Sequence, residues 1–346
     1  MAQADGRRGL VTRTDENFDL ADAPGIPGLA FRHYAGPEEH AAMVRVYNAA
    51  HEGDGLEDVS TPEQFHLNYS TLVNCDPRRD IILAEVDGEL VAYARVFWTD
   101  QVEGGRSYEN FGFVHPDWRR RGIGGALHRH NEQRLREIAE SHSDASPKWL
   151  SSEAMDTAPG NVALLERSGY AAVRYFYEMV APTLEGVSAP PMPDGLEVRP
   201  VSADQFRAIW DASVEAFRDH WGEQEATEED WRRFQTDPDH AEQPFWMIGW
   251  DGDQVAGAVM TTVPREENEE RGRARVWVDS VSVRRPWRRR GLARALLARS
   301  LEAAREAGFT SAGLGVDTEN VTGALGLYES LGFAPERRGI SYRKPM

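Results

Sequence analysis

Cysteine and lysine are almost missing from this chain. Cys75 is the one cysteine among 346 residues, which excludes an internal disulfide and a cysteine-built metal cluster. Lys148 and Lys344 are the two lysines, and the rest of the basic charge is arginine. Basic charge is itself outnumbered: 39 Lys and Arg face 57 Asp and Glu, a net charge of −18 at pH 7. That balance argues against nucleic acid as a partner. No apolar run is long enough to cross a bilayer, and the first residues lack the apolar core of a secretory signal. A cytoplasmic protein with no membrane partner is therefore expected. The ten histidines show no ligand spacing, so no metal is expected. What the chain does have is length and apolar bulk: 40% of it is hydrophobic, with ten tryptophans, enough for two cores.

It also repeats itself. Arg119-Arg120-Arg121-Gly122-Ile123-Gly124-Gly125 and Arg288-Arg289-Arg290-Gly291-Leu292-Ala293-Arg294 each follow a β-branched run and a Trp (Trp118, Trp287), and each opens an amphipathic helix. A strand, a tight turn of exposed amides and a helix N-terminus make a cradle for a diphosphate. No Gly-Lys-Ser/Thr follows either turn, which excludes a nucleoside triphosphate loop. The surroundings repeat as well. Gly28–Arg32 and Gly195–Arg199 alternate as first strands, and helical stretches follow near 38–50 and 203–217. Two hairpins turn at Asp87-Gly88 and Asp251-Gly252. A strand then ends at Val114 or Val283, before the basic turn. Ala293, Leu296, Leu297, Ser300, Leu301 and Ala304 share one helical face. A strand over 311–316 and a last helix from Asn320 to Leu331 complete the second copy. Residues 1–27 read as a mobile or loosely docked tail, 28–181 as a first domain, the Pro-rich 182–194 as a linker and 195–346 as a second domain. The expected fold class is α/β, with two tandem domains, each a mixed central sheet flanked by helices.

This order of elements resembles the GNAT superfamily of acyl-CoA N-acyltransferases. The family turn, Arg/Gln-x-x-Gly-x-Gly/Ala, is matched by Arg119, Gly122 and Gly124, and again by Arg288, Gly291 and Ala293. A second family motif is matched by Asn320, Ala324, Tyr328, Glu329, Gly332 and Phe333. Within the superfamily, the tandem layout is similar to that of the mycothiol synthase family, which pairs a degenerate N-terminal half with an active C-terminal half. The resemblance implies acetyl-CoA as cosubstrate and a small-molecule amine as acceptor, with direct transfer in a ternary complex. It implies that the turn from Arg288 through Arg289, Arg290, Gly291, Leu292 and Ala293 to Arg294 holds the diphosphate, with Asn320 nearby. Backbone amides at Val281 and Val283 meet the thioester arm. Tyr328 is the implied general acid. Asp279 is the first candidate for the base and His220 the second. In the first copy, counting back from Gly169-Tyr170 puts Leu165 in the place of Tyr328. Counting back from Val114 puts Asn110 in the place of Asp279. That half is expected to be catalytically silent, with Gly122 and Gly124 still able to bind CoA. Two alternatives stand beside this reading: acetylation of a cysteinyl amine, as in mycothiol synthesis, and a non-catalytic acyl-CoA-binding regulator. The acceptor and the oligomeric state are not legible.

Overall fold

The computed structural model describes residues 17–20, 22–237, 240, 243–320 and 323–346. In the first half, β1 (Leu29–His33) leads to α1 (His40–Gly53), α2 (Pro62–Ser70) and α3 (Pro77–Asp80). A hairpin of β2 (Ile81–Val86) and β3 (Glu89–Asp100) follows, then β4 (Arg106–Val114), α4 (Ile123–Glu140), β5 (Lys148–Met155), α5 (Pro159–Arg167) and β6 (Ala171–Ala181). The second half repeats the order: β7 (Glu197–Val198), α6 (Phe206–Phe217), α7 (Glu228–Thr236), β8 (Met247–Asp251), β9 (Gln254–Thr262), α8 (Arg265–Arg271), β10 (Arg275–Val283), α9 (Leu292–Glu306), β11 (Ser311–Asp317), α10 (Ala324–Glu329) and β12 (Ala334–Pro345).

The described strands form one sheet of twelve, in the order β1-β2-β3-β4-β5-β12-β6-β11-β10-β9-β8-β7. The two halves thus exchange their last strands. β12, from the end of the chain, pairs with β5 of the first half, and β6 pairs with β11 of the second. β6 and β12 pair with each other, with Phe176 opposite Gly339 at the middle of the molecule. The α/β expectation with two helix-flanked mixed sheets holds, but hydrogen bonding makes those sheets continuous.

Helix α9 is built to lie on this sheet. Leu292, Leu296, Leu297, Leu301 and Ala304 fall on one face and are buried against Val276, Val278 and Leu314, as expected for an apolar stripe of helical period. Its start is fixed by Gly291 at φ 86° and its end by Gly308 at φ 96°, a conformation that glycine adopts without a Cβ clash. The tail proves to be docked where it is described. Phe18 bridges to Phe31, and Leu20 is buried with Ile123 and Leu127. Residues 1–16 and 21 lie outside the described residues. The linker is docked too: Arg305 donates to the carbonyl of Val187 at 2.8 Å and Arg299 to that of Pro190 at 2.7 Å. The last helix is shorter than its motif suggests, starting at Ala324 behind Gly323 in a left-handed conformation; residues 321 and 322 lie outside the described residues.

Candidate active site

β10 and β11 run parallel and pair only from Arg275–Ser311 to Val278–Leu314. Beyond that point they splay. On its other side β10 stays paired with β9, but with a register shift between Val278 and Ser280. Asp279 is the residue inserted by this bulge, and it is exposed. A bulge re-aims the strand beyond it. Val276 and Val278 face α9 before it, and Val281 and Val283 face the same core after it. The amide of Arg284 bonds the carbonyl of Ala256 across β9. By the alternation of an antiparallel ladder, Ser282 then turns toward β9, while the amides of Val281 and Val283 point into the splay.

The basic turn closes the wide end of this splay. Arg289 at φ 60° and Gly291 at φ 86° bend the backbone so that the first amides of α9 point outward. A Cβ added to Gly291 would meet nothing within 4 Å, so the space over the turn is open to a diphosphate. The first-half turn has the same shape, with Arg120 at φ 63° and Gly122 at φ 95°.

The arginines of the turn divide into different tasks. Arg288 faces inward. Its Nε donates to the carbonyl of Val283 at 2.8 Å, and its other nitrogens reach Asp219 at 2.6 Å and the carbonyl of Ala216 at 3.0 Å. It ties the end of α6 to the end of β10. Arg285 and Arg288 together hold the Asp219 carboxyl well below the usual carboxylate range. Arg119 makes the same clamp in the first half, to Val114, Ala50 and Asp54. Arg290 turns away, donating to the carbonyl of Asp194 at 2.8 Å. The Asp219 carboxylate and two backbone carbonyls hold Arg288 at the wall of the cleft, and the carbonyl of Asp194 draws Arg290 away from it. Arg289 and Arg294 remain along it with Leu292 and Ala293.

One cavity of about 2080 Å³ joins these parts. Asp279, His220, Tyr328, Val281, Val283 and Asn320 all border it, as do Gly291 and, at the far end, Gly122 and Gly124. Tyr328 is buried, with its ring edge-on to Phe333 at 6.1 Å. Burial pushes its phenol up to about 12, so the hydroxyl carries its proton throughout the neutral range. His220 sits beside Phe217, rings 4.5 Å apart. Burial lowers its pKa; nearby Asp317 opposes that and Arg288 reinforces it, which leaves a neutral imidazole at pH 7. Cys75 lies outside the cavity, and burial pushes its thiol up to about 12. Among the described residues no group of three or more His, Cys, Asp or Glu could hold a metal, and no helix is long and apolar enough to cross a membrane.

The first half differs at the corresponding place. β4 keeps an unbroken register with β3 through Asn110. Counting outward from Phe176–Gly339, Leu314 lies opposite Met179 and Ser152 opposite Tyr342, each three residues on. Asn110 beside Ser152 therefore stands where Val278 stands, not Asp279, and β4 offers nothing in the place of Asp279. The bulge, invisible in the spacing, is the reason. Leu165 is fully buried in the place of Tyr328.

Sequence comparison bears on the same elements. The acetyltransferase (GNAT) family model matches twice, at residues 42–170 and 206–333. The mycothiol acetyltransferase of Thermobispora bispora is 27% identical over 309 residues, spanning 89% of this chain and 97% of its own length. That of Kineococcus radiotolerans is 30% identical over 307 residues, spanning 88% and 92%. Among solved structures, a GCN5-related N-acetyltransferase from Sphaerobacter thermophilus superposes with a TM-score of 0.68 at 26% identity, over 94% of this chain and 97% of that one. A tandem GNAT protein of clavulanic acid biosynthesis shares the fold, with a TM-score of 0.63 at 16% identity, over 92% and 98%. With two matched domains, a splayed strand pair behind each basic turn and relatives similar over nearly their whole length, the chain belongs to the acetyltransferase (GNAT) family and is a tandem acyl-CoA N-acyltransferase.

Proposed function

We propose that the second half transfers an acetyl group from acetyl-CoA to the primary amine of a small molecule, while the first half has no transfer chemistry of its own. One observation carries this. Asp279, His220, Tyr328 and the inward amides of Val281 and Val283 border a single cavity with the Gly291 turn, and the first half has neither the bulge nor the phenol. The open turn and the amides of α9 suit the diphosphate of the donor, whose thioester supplies the activated acyl group. Amides preset where negative charge develops on the carbonyl oxygen contribute roughly 2.7–4 kcal/mol. Asp279, carried by the bulge, accepts the proton of the incoming ammonium, with His220 the second candidate. Tyr328 donates to the departing sulfur. No side chain carries the acyl group.

The test is release of free CoA from acetyl-CoA over a panel of amines, for the native chain, Gly291→Glu and Gly122→Glu. Loss in Gly291→Glu alone supports the reading. Equal loss in both folded variants overturns the inequality of the halves. Acetyl-CoA binding without CoA release on any amine would make the protein a regulator. The curated relatives named mycothiol acetyltransferase, 27% and 30% identical, favour a second reading, in which the acceptor is a cysteinyl amine. Cysteinyl-glucosaminyl-inositol belongs in the panel for that reason.

A further inference from the structure

The bulge of β10 does more than deliver Asp279. Val278 and Val281 both pack on the α9 core, and two residues stand between them where strand alternation allows one. Asp279 and Ser280 therefore leave β10 side by side on its other face, the face covered by α6. Trp277 lies on that face too, because it alternates with Val276 and Val278. Across the splay, a Cβ added to Gly313 of β11 would strike the Trp277 ring at 2.5 Å, whereas one added to Gly315 would meet nothing within 4 Å. The cavity is thus open over β11 beside the pair. Phe217 and His220, at the end of α6, border it with Asp279, Ser280 and Gly315.

The two serines on this face of β10 differ. Ser282 is buried, and its Oγ donates to the carbonyl of Ala258 and accepts from Ser213 of α6, each at 3.4 Å. Ser280 Oγ is buried as well, but it makes no hydrogen bond, and its residue borders the cavity. A buried hydroxyl without a partner costs stability and calls for a reason. In the first half the corresponding face is closed. Phe111 and Phe113 precede Val114 by three residues and one, as Ser280 and Ser282 precede Val283. Phe113 packs on Tyr47 and His51 of α1, with ring centroids 5.0 and 5.4 Å away, and Arg95 covers Phe111 at 4.7 Å. Small hydroxyl side chains keep the same place open in the second half. The two faces also separate the ends of the reaction. Tyr328 is buried in the α9 core, so it meets the departing sulfur from that side, and the amine comes from the side of Asp279 and Ser280.

We propose that Ser280 is a further catalytic residue of the second half: its Oγ accepts an N–H of the acceptor's primary amine, beside the carboxylate of Asp279. The proposal rests on the reading that the second half is the transferase. Once the base has taken one proton of the ammonium, two N–H groups remain. Ser280 holds one of them, which leaves the nitrogen lone pair turned toward the thioester carbon. The hydroxyl keeps its own proton and forms no bond to the acyl group.

Steady-state kinetics, acetyl-CoA titration and thermal melting of the full chain and its Ser280→Ala variant test this, on the amine that releases CoA fastest. Ser280→Ala is expected to lower kcat/KM for the amine about tenfold or more, with the acetyl-CoA dissociation constant unchanged. Without ligands it is expected to melt no lower than the native chain, because it removes a group that has no partner in the fold. Native kcat/KM in Ser280→Ala would overturn this proposal alone. So would a loss accompanied by a lower melting temperature or by weaker acetyl-CoA binding, since the hydroxyl would then serve the fold or the donor. No CoA release by the native chain on any amine would overturn the reading of the second half, and this proposal with it.

Discussion

Tyr328 and Asp279 illustrate how differently single residues can be read. The phenol was legible in the chain because Ala324, Tyr328, Gly332 and Phe333 keep a spacing that places the ring on the sheet-facing side of a short helix, and it is indeed buried there. Replacing it by Phe removes one oxygen and little volume. Turnover should fall about 10²-fold or more while the dissociation constant for acetyl-CoA holds, measured by steady-state kinetics and titration side by side. Asp279 was legible as a carboxylate near the strand end, but its placement was not. A bulge depends on how the next strand pairs, and no local spacing encodes that. Asp279→Asn should lower kcat/KM by a factor of about 10² to 10⁴ at unchanged acetyl-CoA affinity. If His220→Gln alone does so, and moves the acid limb of the pH–rate profile, the imidazole is the base. That limb should lie below pH 6.5, because burial lowers the pKa of His220 and a base works only when unprotonated.

At the scale of elements, the hairpins, the basic turns and the helices behind them follow from Asp-Gly turns and helical periodicity, and the structure returns each of them. The arginines of the turn were less legible, because charge at a turn says nothing of which way a side chain faces. Arg288 is a brace between α6 and β10. Its partner Asp219 gives the test. Arg288→Ala frees the end of α6 and the carbonyl of Val283 at the edge of the cleft. It should weaken acetyl-CoA binding about tenfold, near 1.4 kcal/mol, and Asp219→Asn should produce much of the same loss. The double variant should then fall short of the sum of the singles, as contacting partners do; full additivity would show that the brace has no part in shaping the cleft.

The whole molecule shows what the sequence could not. Two similar halves in tandem suggest two separable domains, and each half contains every strand its sheet needs. Yet β12 lies between β5 and β6, and the loops cross over with it. Glu57, beyond α1, meets Arg275 of β10 at 2.8 Å and Arg337 of β12 at 3.4 Å. The amide of Val102 bonds the carbonyl of Glu223, beyond α6, at 2.9 Å. Strand pairing of this kind is a choice among nearly equal partners, and only the three-dimensional arrangement decides it. Glu109 feels the consequence. It lies on β4 opposite Ser151, and burial raises its pKa to about 7, with Glu153 adding to the rise against Ser107 and Arg343, which lower it. A carboxyl whose pKa is higher folded than unfolded stabilises the fold fully below the unfolded value of about 4.3, and that contribution is lost as pH rises through 7. Glu109→Gln should therefore flatten the fall of the melting temperature between pH 5 and 8, with up to about 4 kcal/mol at stake. The exchanged strands carry the stronger consequence. A chain cut to 195–346 leaves the outer edge of β11 without β6, and β12 without either neighbour, so it exposes three unpaired edges. It should be insoluble or unfolded by circular dichroism, and the 1–194 piece likewise, while co-expression of the two pieces restores a soluble complex that binds acetyl-CoA. The intact chain should melt in one transition followed alike by tryptophan fluorescence and far-ultraviolet dichroism. Two separate transitions, or a folded and active 195–346 fragment, would mean that each half closes its own sheet in solution.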